Sequence, residues 1–135
     1  MNRTDFIENE KIRVLKLYTS QKHIEGFQSK YKFMEWFINQ LNKQDFKCYY
    51  CETSIFDIRE LMEKEKLKKR KIGHGFRGPI LEIDKMNNDL GYRPSNCVLA
   101  CYYCNNDKSY TLDSEKYKEF FGPTRKLFFD FLIKS

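Results

Sequence analysis

Two copies of one short motif, Cys48-Tyr-Tyr-Cys51 and Cys101-Tyr-Tyr-Cys104, constrain this chain more than any other feature. Thiolates two residues apart can grip the same side of one tetrahedral cation, and two such pairs complete a Cys₄ zinc site. A closed sphere of four sulfurs leaves no position for a substrate, so one structural zinc per chain is expected. The rival reading, a thioredoxin-like dithiol, needs a βαβ setting that neither pair has. Cys97 lies in an apolar run and reads as a small buried hydrophobe.

The N-terminal "MNRTDFIENEK" carries no apolar signal core, and no window approaches the ~18 apolar residues of a membrane span. A soluble, cytoplasmic protein is therefore expected. Thiols stay reduced there, which again favours metal over disulfide. A length of 135 residues fits a single domain, residues 1–135. Aromatic residues make up 16% of the chain and are spread along it, enough for a real core despite the many charges. Three parts follow: a helical N-terminal part (1–45), a zinc-clipped centre (46–110) and C-terminal helices (111–135).

Apolar spacing predicts the helices. Ile7, Val14, Leu15 and Tyr18 form a stripe from Asp5 to Tyr18. Ser29 is an N-cap for a helix whose face is Phe33, Trp36, Phe37 and Leu41. Ser54 and Asp57 resemble a capping box before Ile55, Ile58, Leu61 and Met62. "GHGFRGP" then breaks regular structure. "ILEID" alternates as a strand, "NNDLGYRPSN" is a loop with Asp89 as a turn residue, and "CVLA" is a second, antiparallel strand. Helices are expected from Tyr102 to Lys108 and from Asp113 to Phe120. Gly122-Pro123 should end the latter before a last amphipathic helix, "TRKLFFDFLI".

The formal charge is +6, and its placement matters more than its size. Lys64, Lys66, Lys68, Lys69, Arg70 and Lys71 crowd together, followed by His74 and Arg77. Such a run is either a solvated helix end or a grip for a polyanion. Inside the zinc-clipped centre lies a polar set. Asp84 ends the first strand, Asn96 opens the second, and Asn105 follows Cys104. One carboxylate with one amide oxygen is a sparse hard-oxygen site, suited to Mg²⁺ or Mn²⁺.

The order C-x-x-C, "LEID", a loop, Asn96 and "CYYCNNDK" resembles the HNH, or ββα-metal, endonucleases over residues 48 to about 108. The resemblance implies an α+β fold: a ββα-metal core with a Cys₄ zinc, embedded in N- and C-terminal helices. It implies DNA as partner and phosphodiester hydrolysis at one Mg²⁺ or Mn²⁺. Asp84 and Asn105 match the metal ligands. Asn96 matches a bracing asparagine, and Lys108 a lysine that faces phosphate. Lys85 departs from the pattern, because most of the family has a histidine base there and lysine is normally protonated. The stretch "DKMNNDLGY" is similar to a histidine-lacking branch that uses tyrosine. In that reading Tyr92 activates water and Lys85 clamps phosphate. His74 is the competing base. Lys68, Lys69, Arg70, Lys71 and Arg77 would grip the backbone. A homodimer would suit cutting of both strands, as in a restriction enzyme. The alternatives are a catalytically inactive, zinc-stabilised nucleic-acid-binding module and, less favoured, a protein-binding adaptor.

Overall fold

A computed structural model describes residues 2–20, 22–73 and 75–135, apart from the side chains of residues 22, 23 and 25. Helix α1 (Arg3–Ser20) packs on α2 (Lys30–Lys43), with a 3₁₀ segment (Lys22–Phe27) between them. Ser29 caps α2 by accepting from the Lys32 N–H, as its position predicts. The buried line of α1 is Phe6, Glu10 and Val14, one residue round from the expected start at Ile7. The chain tolerates a buried Glu10 because Arg13 donates to both its oxygens, at 2.7 and 2.9 Å. Phe27, Phe33, Phe37 and Trp36 interlock at centroid distances of 4.9–6.4 Å, with Trp36 half-buried at the margin.

Ser54 caps α3 (Ile55–Glu63) through the Phe56 N–H, and Asp57 places negative charge in its first turn. After α3 the structure departs from expectation. The glycine-rich stretch does not simply break order: β1 (Arg70–Ile72) and β2 (Gly75–Arg77) form an exposed two-stranded ribbon. Gly73, at φ +53°, supplies the left-handed backbone of its turn.

The centre is as predicted. β3 (Leu81–Lys85) pairs antiparallel with β4 (Cys97–Cys101), Leu81 opposite Cys101 and Lys85 opposite Cys97. β4 runs straight into α4 (Tyr102–Lys108), with Cys101 as its N-cap. Every residue of β4 is buried, Cys97 included, and burial pushes the Cys97 thiol up to about 11. The outer edge of β4 is closed without a third strand. The Gln44 side chain donates to and accepts from Leu99, and the Tyr49 N–H donates to the same carbonyl.

Gly122-Pro123 does not end the preceding helix. α5 (Ser114–Lys116) passes through one π-helical turn (Tyr117–Phe121) into α6 (Gly122–Lys134). Proline lacks an amide donor, and the wider turn, closed by Gly122 N–H to Tyr117 O, carries the axis past it. Gly122 serves contact: an added Cβ would stand 2.2 Å from the Tyr50 carbonyl oxygen. The helix thus lies directly on the first cysteine knuckle. Phe129 is buried against Tyr103, while Phe120, Leu127 and Phe131 stay open, each more than 60% exposed.

Candidate active site

The four Sγ atoms of Cys48, Cys51, Cys101 and Cys104 all lie within 4.8 Å of one another, fully buried. Zn–S bonds of about 2.3 Å place sulfurs about 3.8 Å apart around a tetrahedron, and Cys51 and Cys101 stand 4.0 Å apart. The donor set and its packing therefore fit zinc. Hydrogen bonds from Cys101, Cys104 and Cys48 draw the Cys51 thiol down, while burial drives the Cys101 thiol up. Only a cation lets four sulfurs packed this closely all become thiolates. The first knuckle is also laced to β4 by the Tyr49 amide, so the clip joins segments 50 residues apart.

Asp84 projects from the end of β3 onto α4. It is 5% exposed and held from two sides. The Tyr50 hydroxyl donates to Oδ2 at 2.5 Å and contacts the Ser114 hydroxyl at 2.8 Å. The Lys108 ammonium lies 3.4 Å from both carboxylate oxygens and donates to the Lys85 carbonyl at 3.1 Å. Burial raises the Asp84 pKa, against the opposing pull of Tyr50 and Lys108. Burial, reinforced by the neighbouring Asp84 charge, raises the Tyr50 phenol.

Two expectations change here. Lys108 does not face phosphate: it is wholly buried and serves as the internal counter-charge of Asp84. Arg77 is occupied as well, with its guanidinium bidentate on Glu82 at 2.5 and 2.9 Å and 4.6 Å from the Tyr102 ring. Lys68, Lys69, Arg70 and Lys71 are exposed. His74 lies outside the described residues.

Asn96 is buried and braces the loop 86–93. Its Oδ1 accepts from the Asn87 N–H at 2.9 Å, and its amide donates to the carbonyls of Asn87, Leu90 and Gly91. These bonds fix the segment that carries Tyr92. From the other side the Tyr92 carbonyl rests on Gly26, where a Cβ would lie 2.1 Å away. The Lys85 ammonium lies 4.9 Å from the Tyr92 ring centre. Burial raises the Tyr92 phenol.

Asn105, on α4, donates to Glu82 at 2.9 Å. Successive turns of α4 thus meet alternate residues of β3: Asn105 meets Glu82, and Lys108 meets Asp84. Glu82, Asn105, Tyr92, Arg77 and Ile72 line one cleft of about 390 Å³. A wider depression of about 700 Å³ beyond the loop carries Asp89, Asp113 and Glu115, a poor lining for a polyanion. Sequence reasoning missed Tyr50 and Glu82. The only local signal for Tyr50 is its place inside a knuckle, and for Glu82 its position two residues before Asp84, on the same strand face.

A hairpin and helix are clipped by a Cys₄ cluster, with Asp84 near the strand end and Asn105 on the helix: the chain has an HNH-like, ββα-metal fold. It is similar to a solved structure of PacI, a rare-cutting HNH restriction endonuclease, with a TM-score of 0.62 at 21% identity over 90% of this chain and 77% of that one. No family model matches. Uncharacterized protein R423 of Acanthamoeba polyphaga mimivirus is 32% identical over an 83-residue alignment. That alignment takes in 57% of this chain and 12% of the relative, so the chain spans only a small part of that protein's length.

Proposed function

We propose that the chain is a metal-dependent endonuclease that hydrolyses phosphodiester bonds in DNA, as a single domain of restriction type. The observation that carries the reading is that Tyr92 and Asn105 line one cleft, with the Lys85 ammonium 4.9 Å from the Tyr92 ring centre and Asp84 preceding Lys85 on β3, within a core whose fold resembles that of an HNH enzyme. A divalent ion would take the place of the Lys108 ammonium, which neutralises the buried Asp84 carboxylate at 3.4 Å. Asp84 offers a carboxylate, and Asn105, its N–H₂ donating to Glu82, has its carbonyl oxygen to offer. Mg²⁺ or Mn²⁺ takes few protein oxygens of this kind and keeps its waters. When bound, the ion supplies charge neutralisation at the phosphate and at the leaving 3′ oxygen.

The chain's own residues do the rest. Tyr50 and Lys108 hold Asp84 at a fixed angle. Asn96 holds the loop, and thereby Tyr92, at the cleft. The Lys85 ammonium neutralises a non-bridging phosphate oxygen. Tyr92 orients the attacking water, because a phenol raised by burial is a better positioner than a base at neutral pH. His74 remains the rival for the proton. Lys68, Lys69, Arg70 and Lys71 grip the backbone through counterion release. A two-fold pair of chains would set one site on each strand. The open stripe Phe120, Leu127 and Phe131 is the apolar surface that such a pairing would cover.

The test is cleavage of supercoiled plasmid with Mg²⁺ or Mn²⁺. Asp84→Ala should abolish it, and Tyr92→Phe and Lys85→Ala should each slow it by at least ten-fold. A second reading, an inactive DNA-binding module, is favoured by one observation: a buried lysine already neutralises Asp84. In that case wild type binds DNA, cuts none, and Asp84→Asn binds equally well.

A further inference from the structure

The β1–β2 ribbon pairs with itself alone and leaves both strands exposed, apart from a half-buried Arg77. An isolated two-stranded ribbon is marginal in water, so its base needs ties, and it has several. Arg77 is clamped on Glu82, Arg59 donates to the Pro79 carbonyl at 3.0 Å, and the Tyr103 hydroxyl donates to the Lys68 carbonyl. Gly78, at φ +131°, is pressed against Met62, where a Cβ would lie 2.4 Å from the methyl carbon. The base is thus anchored on the core while the strands project.

The register separates two faces, because directly opposed residues in an antiparallel pair share a side. Arg70 with Arg77 and Ile72 with Gly75 form the face that Ile72 and Arg77 turn to the cleft. Lys71 and Phe76 form the other. There Phe76 is 48% exposed, with the Lys69 ammonium 4.4 Å from its ring centre. From Lys66 to Leu81 the sequence holds no acidic residue. Apart from Arg77, which Glu82 holds, the ribbon and the lysines before it offer cations and one aromatic ring with no acidic residue among them.

Its size selects a partner. Strands of three residues reach about 10 Å, with neighbouring strands about 4.8 Å apart. The major groove of B-DNA, about 12 Å wide and about 8.5 Å deep, admits a two-stranded ribbon as it stands, whereas the minor groove is about 6 Å wide. We propose that the β1–β2 ribbon is a DNA-reading arm that enters the major groove beside the phosphate held in the cleft. This rests on the nuclease reading above. Lys71, with Lys69 behind it, donates to guanine O6 and N7, and Phe76 packs on a thymine methyl. Arg70, on the inner face, lines the path of the backbone, and Arg77 stays on Glu82 as the anchor. The seat of the arm is Glu82, the carboxylate that also fixes the Asn105 amide, so the arm and the metal ligand share one support.

The experiment is fluorescence anisotropy with the zinc-loaded 135-residue protein, without added magnesium or manganese, on duplex DNA, duplex RNA and DNA with uracil for thymine. Wild type should prefer duplex DNA to duplex RNA, whose major groove is too narrow for side chains to read. Lys71→Ala should weaken binding to guanine-containing duplex DNA by about ten-fold and relax the preference for guanine. Uracil substitution should weaken wild type several-fold and leave Phe76→Ser unchanged. Circular dichroism and zinc content of both variants should match wild type. If both variants bind and cut as wild type does, the arm is overturned and the nuclease reading stands. Equal binding of RNA and DNA overturns the groove assignment. If wild type binds no duplex at all, both proposals fall.

Discussion

The two knuckles and the basic ribbon obey opposite rules, although the Tyr103 hydroxyl ties the second knuckle to the base of the ribbon. Around the knuckles the polar groups are paired inside the protein, Cys with Cys, Asp84 with Tyr50 and Lys108, the β4 edge with Gln44 and Tyr49, the Thr53 hydroxyl excepted. In the ribbon, Lys68, Lys69, Arg70 and Lys71 stand in water, and only Arg77 is committed. The first region spends its charges on holding itself together. The second keeps them for a polyanion. Substitutions in the first should therefore cost folding, and those in the second should cost binding alone.

The largest break should come from the zinc. Structural zinc sites contribute roughly 10–16 kcal/mol, more than the whole stability of a typical domain. Chelation, or Cys101→Ser, should abolish cooperative thermal unfolding in calorimetry, and elemental analysis of wild type should give one zinc per chain. A folded, cooperative chelated protein would erase the distinction between the regions. Next is Lys108→Met. Removing one partner of a buried ion pair costs about 3–5 kcal/mol, read as a lower denaturant midpoint, whereas Lys71→Met should shift that midpoint by less than about 0.5 kcal/mol.

Tyr50→Phe should cost about 1–3 kcal/mol, since it leaves a buried carboxylate short of a donor. It should also lower plasmid cleavage with little change in DNA affinity. The smallest effect concerns pH. Burial raises the Asp84 pKa above its ordinary 3.8. The folded chain then holds this proton longer than the unfolded one, so its contribution is full at low pH and is lost as pH rises through the raised value. Compared with wild type, zinc-loaded Asp84→Asn without magnesium or manganese should lose this decline above about pH 4, the ordinary range of a free carboxylate, in urea midpoints taken across pH.

Local patterns were legible because they involve neighbours in the chain. Two C-x-x-C pairs, the alternation of "LEID" and the run "CVLA" leading to Cys101 sufficed for the ββα core and its four-sulfur cluster. The ribbon was not legible, because "RKI" and "GFR" are three-residue strands with no buried face and so no alternation to read. The π turn before Pro123 was missed for a different reason: glycine followed by proline ordinarily stops a helix, and only contact with the Tyr50 carbonyl shows why glycine is required there.

By itself the sequence determined the class of fold, the four sulfurs and the strand that carries Asp84, since ligand spacing and strand period are set by covalent geometry. Tertiary structure alone decided that Tyr50 holds Asp84 across 34 residues, that Glu82 serves both Arg77 and Asn105, and that Lys108 turns inward and not to solvent. The physical reason is burial. A lysine or tyrosine reads the same in any sequence, and its role is set by which charge is sealed in with it when water leaves.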